Sequence, residues 1–227
     1  MKKIFFIVLI FTILTVSFMT LISCSDNSNK MDGWDKYTKG EFGIKNENNP
    51  LVEIRFSTGE TVRLELYPDV APKTVANFIK LAKSGSYNGL TMHRIIENFM
   101  IQGGGYTRRD NILEDAFGSS AKNIYGEFSA NGWANNIRHQ KGVISMARAN
   151  SYNSASTQFF ICSVDCNFLD GYYCAFGRVI DVESMNSVVK ISKVVTGGGH
   201  ILQGGTLYQT TDVPTDIINI VSVEIRE

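Results

Sequence analysis

The sequence carries no surplus of charge. Lysine and arginine number 22 against 22 aspartate and glutamate, so the formal net charge is zero. Electrostatic capture of nucleic acid needs a basic stripe, and there is none to build it from. Histidine is scarce, and neither His139 nor His200 stands in a ligand pattern. Cysteine is scarce too. The Cys162-x3-Cys166 spacing lacks the second Cys or His pair that would complete a metal site. Buried structural thiols are the expectation for Cys162, Cys166 and Cys174, with one disulfide left open. No metal and no cofactor is expected. Neither Gly103–Gly105 nor Gly197–Gly199 forms G-x-x-x-x-G-K-[ST], so both read as turns that permit positive φ rather than phosphate loops. Ser145 and Ser163 lack a G-x-S-x-G elbow, which argues against a hydrolase. No internal repeat is visible.

Long hydrophobic runs are also few. The longest, Ile4–Phe18, is short for a membrane span, which takes about 20 apolar residues. It follows Lys2 and Lys3 and ends at Leu21-Ile22-Ser23-Cys24. Residues 1–23 therefore read as a signal peptide. The Leu-Ile-Ser-Cys run resembles a bacterial lipobox, which implies lipidation of Cys24 and a lipid-anchored domain in the cell envelope, outside the cytoplasm. The weaker alternatives are an ordinary secretory signal with a chance Cys, or an uncleaved anchor. Residues 24–50 are polar and aperiodic and read as a tether, although Trp34, Tyr37 and Phe42 leave room for packing on the domain.

The remainder, 51–227, reads as one domain, and the chain's 44% hydrophobic content is enough for a substantial core. Residues 51–56 and 61–67 alternate apolar and polar around Ser57-Thr58-Gly59-Glu60, which predicts a hairpin with one buried face. Pro72 opens a helix that runs to Ser84, with Val75, Phe78, Ile79 and Ala82 on one face and Gly85 closing it. Residues 106–140 read as loops with short strands, and Arg108-Arg109 as a solvated pair. Strands are predicted over 142–147, 158–162 and 173–179, a helix over 185–191, and a closing strand over 217–225. Many short strands with two helices indicate a mainly β barrel or sandwich.

The stretch that organises the rest is 91–105, TMHRIIENFMIQGGG. A regular strand would put Arg94, Ile96, Asn98, Met100 and Gln102 on one face, with a turn or bulge at Glu97-Asn98 as the alternative. Either way a guanidinium lies beside apolar side chains, which is how a pocket with one placed polar group is made. This stretch resembles the HR-x-I-x-x-FMIQGG signature of the cyclophilins, the peptidyl-prolyl cis-trans isomerases. Residues 142–161, GVISMARANSYNSASTQFFI, and 168–177, FLDGYYCAFG, are similar to that family's second and third signatures, in the right order.

The resemblance implies a closed eight-stranded antiparallel β-barrel capped by two α-helices. It also implies rotation of X-Pro peptide bonds in unfolded or exported proteins, by a monomer. Arg94 would be the donor, oriented by Gln102, with Phe99 against the reacting proline. Met100, Phe160 and Leu169 would complete the proline pocket. Ala147, Arg148 and Ala149 would pair with an extended substrate backbone, Gln158 would bond a substrate carbonyl, and His93 would line the rim. Two positions depart from the family pattern. Phe168 stands where a Trp tied to cyclosporin affinity is common, which argues against tight binding of that drug. Tyr173 stands where many members carry His. Two further readings stay open: a proline-peptide binding module in which turnover is lost, and, more weakly, a structural envelope lipoprotein.

Overall fold

A computed structural model describes residues 43–226. The signal peptide, Cys24 and most of the tether lie outside the described residues. The first described residues are packed on the domain. Ile44 is buried with Leu51 and Ile180, and the buried Glu65 carboxylate accepts from the Lys45 and Asn46 backbone N–H groups and from Asn49 Nδ2.

Strands β1 (Leu51–Phe56) and β2 (Thr61–Leu66) form the expected hairpin, with Val52 opposite Leu64 and Ile54 opposite Val62. Helix α1 (Pro72–Lys83) begins after Ala71, which has no side chain to cap it. The vacant N–H groups of Lys73 and Thr74 instead donate to the two carboxylate oxygens of the fully buried Glu127, at 3.0 and 2.8 Å. A carboxylate there satisfies two donors and complements the positive end of the helix dipole. Next come β3 (Arg94–Ile96), β4 (Met100–Gly103), β5 (Tyr106–Arg109), β6 (Ile112–Asp115), β7 (Val143–Met146), β8 (Phe159–Cys162) and β9 (Ala175–Val179). Helix α2 (Val182–Ser192) starts earlier than the apolar spacing predicts, because Asp181 caps it by accepting from Ser184 N at 2.6 Å. The chain ends with β10 (Thr196–Gln203), β11 (Thr206–Pro214) and β12 (Ile220–Arg226).

Eight strands form one antiparallel sheet in the order β12-β1-β2-β9-β7-β8-β4-β3. Among the described residues no ladder joins its two ends. The ring is completed by the Thr91–Asn219 bridge and by flanking bonds from Met92 N to Ile218 O and from Ile220 N to Leu90 O. The mainly β barrel with two helices is thus as expected, with a seam that is bridged rather than zipped. Inside it, Phe78 of α1 meets the rings of Tyr87, Phe159 and Phe176 at 5.2, 5.6 and 5.4 Å between centroids. A fully buried ring of this kind contributes roughly 2–3 kcal/mol.

A second sheet, β11-β10-β6-β5, lies beside the barrel and is not legible in the periodicity. Gly197–Gly199 belongs to β10 and none of the three has positive φ, so the turn expected there is absent. Arg108 is not a solvated pair member either. Its guanidinium donates to the carbonyls of Pro214 and Thr215 and to Asn111 Oδ1, tying β5 to the end of β11.

Candidate active site

The organising stretch folds back on itself. Asn98 takes φ of 57°, which Asn tolerates better than most residues, and a turn over 97–99 separates β3 from β4. Arg94 then lies opposite Gln102 and Ile96 opposite Met100. Residues directly opposite on paired strands project to the same face. The hairpin therefore delivers the face that a continuous strand would have delivered, without Asn98.

From that face Arg94, Met100 and Gln102 line a cavity of about 220 Å³ together with Phe99, Ala147, Arg148, Phe160, Leu169 and Tyr173. Its floor is a small apolar cluster of Met100, Phe160, Cys162, Cys166 and Leu169, separate from the main core. Alternation along β8 explains the split, since Phe159 points into the barrel and Phe160 out of it. All three described cysteines are buried free thiols. Burial raises the Cys174 thiol to about 12.

The polar wall is a chain of amides. Gln102 Nε2 donates to Gln158 Oε1 at 3.1 Å and lies 3.4 Å from His93 Nε2. With its nitrogen so occupied, Gln102 turns its oxygen to Arg94, whose Nη1 donates to Oε1 across 3.5 Å. Gln158 reaches this position because residue 105 is glycine; a Cβ there would fall 2.5 Å from Gln158 Cγ. His93 does not line the rim as expected. It is only 6% exposed, behind Gln102, with its ring 4.7 Å from that of Tyr106. Burial, reinforced by the Arg94 charge, lowers its pKa to about 4, so it is neutral at pH 7.

Ala149 and Gln158 line an adjoining cavity of about 290 Å³ with Ser154 and Ser156, which shares Gln102, Ala147 and Arg148 with the first. The Ala147 N–H already donates to the Gln158 carbonyl and the Ala149 N–H to Ser154 Oγ. Any pairing of these two residues with a peptide backbone therefore falls to their carbonyls. Arg148 stacks over Tyr173, 4.6 Å from the ring centre, and donates to the Tyr172 carbonyl, so it braces the wall between the two cavities. Phe168 lines neither cavity. It is 70% exposed, with its ring 5.3 Å from Phe99.

A second constellation has the look of a nucleophilic triad. His139 Nε2 lies 3.0 Å from Ser145 Oγ and Nδ1 lies 3.1 Å from Asp170 Oδ1. Ser145 and His139 are fully buried, and the imidazole stacks under Phe160. No acyl group can reach that hydroxyl, and the arrangement instead stiffens the cavity floor. The spacing of His139 and Asp170 in the sequence gave no signal of it.

The family described as cyclophilin type peptidyl-prolyl cis-trans isomerase/CLD matches residues 51–225. The chain is 37% identical over 183 residues to the peptidyl-prolyl cis-trans isomerase of Acinetobacter baylyi, covering 78% of this chain and 86% of that protein. It is 35% identical over 185 residues to peptidyl-prolyl cis-trans isomerase B of Escherichia coli, covering 78% of this chain and all of the other. In fold it is similar to a cyclophilin type isomerase of Cryptosporidium parvum, with a TM-score of 0.59 at 24% identity, over 79% of this chain and 98% of that one. With a family model matched over most of its length and relatives of 35–37% identity covered nearly end to end, this chain belongs to the cyclophilin-type peptidyl-prolyl cis-trans isomerases.

Proposed function

We propose that the cavity around Arg94 is where this isomerase turns X-Pro bonds, and that it does so for exported proteins from a lipid anchor at Cys24. The rotational barrier of the amide is about 18–20 kcal/mol and comes from resonance. As the bond twists, the prolyl nitrogen regains its lone pair. A donor aimed at that nitrogen is worth more in the twisted state than in either planar state, which is the condition for catalysis. No covalent bond breaks, so neither a nucleophile nor an acid–base pair is required.

Arg94 suits the donor's role because its charge is permanent and its fork is rigid. Gln102 holds it from one side. Phe99, Met100, Phe160 and Leu169 offer an apolar seat for the proline ring, while the acyl side swings in the adjoining cavity by Gln158, Ala147 and Ala149. Tyr173 and Arg148 form the wall that separates the two halves of the substrate.

The observation that carries this reading is the position of Arg94 on the wall of a cavity beside Phe99, Met100, Phe160 and Leu169, with its amide partner Gln102 already in place. The test is isomerisation of an Ala-Pro peptide by wild type and Arg94→Ala. A fall of about 100-fold or more in kcat/KM with unchanged fold supports it, and equal rates sink it. The anchor rests on the Leu-Ile-Ser-Cys run alone. Metabolic labelling with a fatty acid should mark the wild type and not Cys24→Ala.

A further inference from the structure

The guanidinium of Arg94 has a second partner that comes from the other sheet. Asp212 Oδ2 lies 3.6 Å from Arg94 Nε, while Gln102 holds Nη1. Asp212 reaches this place through a defect in the β10–β11 ladder. Gly197 pairs with Val213 and Gly199 with Thr210. One residue of β10, Gly198, is therefore opposed by two of β11, Thr211 and Asp212. Such a bulge re-aims a side chain out of the ladder.

Asp212 takes φ of 63°, one of three non-glycine residues with positive φ among those described. Glycine would adopt this conformation without strain, so a carboxylate here is held against a backbone preference. Two further contacts fix it. Thr211 Oγ1 donates to Asp212 Oδ2 at 3.2 Å, and Arg108 clamps the carbonyls of Pro214 and Thr215 just downstream.

We infer that Asp212 is a positioning residue for the isomerase, holding the plane of the Arg94 guanidinium so that its remaining donors face the cavity. One hydrogen bond to Nη1 leaves an arginine free to swing about its side-chain torsions. A second contact at Nε, from a different direction, fixes the plane. The fork is then pre-organised before substrate arrives, and the ordering is not charged to the twisted state. The second sheet thus has a role in the chemistry, as the carrier of this carboxylate. The inference rests on the reading of Arg94 as the donor.

The pair is partly open to solvent, at 41% and 34% side-chain exposure, so its effect is modest. Asp212→Asn is the informative variant, because Asn keeps the size and tolerates positive φ. Exchange of an uncharged Ala-Pro peptide, followed by NMR at low ionic strength, should slow about 2–5-fold in Asp212→Asn, with peptide affinity and melting temperature unchanged. In wild type the rate should fall towards the variant's as salt approaches ~1 M, where screening acts over a few ångströms. The variant's own rate should stay flat. In an Arg94→Ala background the Asn substitution should have no effect. If Asp212→Asn fails to fold, Asp212→Gly accommodates the same backbone and serves instead. Equal rates for wild type and variant, or the same loss in the Arg94→Ala background, overturn the inference. If Arg94→Ala itself costs nothing, it is the reading of the site that fails.

Discussion

Gln102 faces Arg94 across a two-strand hairpin and presents its oxygen to the guanidinium because its nitrogen is taken by Gln158 and His93. On this side, orientation of the donor is set by the two amides and the imidazole behind it. Gln102→Leu keeps the volume and removes the chain of bonds. We expect kcat/KM for an Ala-Pro peptide to drop about 10-fold, equivalent to about 1.4 kcal/mol of transition-state stabilisation. A loss shared by Gln158→Leu and not additive with it would show that the two act as one unit.

Gly105 makes room for Gln158. Gly105→Ala drives a methyl group into that side chain and displaces it from Gln102. Slower turnover, by about 10-fold, is the expected result, since small misplacements at a reacting centre cost heavily. Crystal structures of the variant should show Gln158 moved and Arg94 with it.

Glu127 closes the start of α1 from a distant loop. Replacing it with Ala strands two backbone donors, that of Thr74 buried and that of Lys73 partly buried. The cost should be about 2–4 kcal/mol, at roughly 1–2 kcal/mol for each lost bond. A urea titration checks it, and a midpoint within error of wild type would show the helix start to be solvated instead.

Two buried histidines set a pH limit on stability. Desolvation lowers the pKa of both His93, to about 4, and His139, where Asp170 partly opposes the shift. The unfolded chain binds protons at these residues below about pH 6.5, whereas the folded chain does not until lower pH. Folding is therefore favoured fully above that value and loses stability as pH falls from about 6.5 towards 4. His93 alone accounts for on the order of 3 kcal/mol across that window. Unfolding free energies at pH 7, 5 and 4 should fall in that order, and less steeply in His93→Gln.

Ser145 is sealed beneath the cavity with His139 and Asp170. A fluorophosphonate probe should leave it unlabelled in the folded protein. Labelling at Ser145 would reopen hydrolytic chemistry.

The site was legible in the sequence where its residues are close in the chain. The run from Arg94 to Gln102 is nine consecutive positions of one hairpin, and a period of two brings Arg94, Met100 and Gln102 to one face whether or not the strand is broken, while Phe99 joins them from the turn. Phe160 and Leu169 followed from strand alternation and from motif likeness. His93 was misplaced because neighbours on a strand point to opposite sides, and Arg94 claims the cavity side. Asp212 and Arg108 gave no signal at all. Their relation to the site depends on a bulge and on a parallel pairing of β10 with β6, and neither leaves a periodic trace. The same holds for Glu127, whose partner is a helix start far from it in the chain. Long-range polar contacts of this kind depend on the completed topology, whereas hydrophobic alternation is local.

The bridged seam bears on the order in which the molecule is completed as it is made. β1 is the first strand described, yet it pairs on one side with β12, the last, and the seam joins Leu90–Met92 to Ile218–Ile220. Loop closure over most of the chain must precede these pairings, which makes them slow steps. The segment leading into Arg94 is bonded to Tyr106 on one side and to Ile218 and Ile220 on the other, so part of its lateral support waits on the residues around β12. Every residue of the cavity wall precedes β12 in the chain, yet the edge of the sheet that carries Arg94 is joined to the rest of the ring only through residues next to that strand.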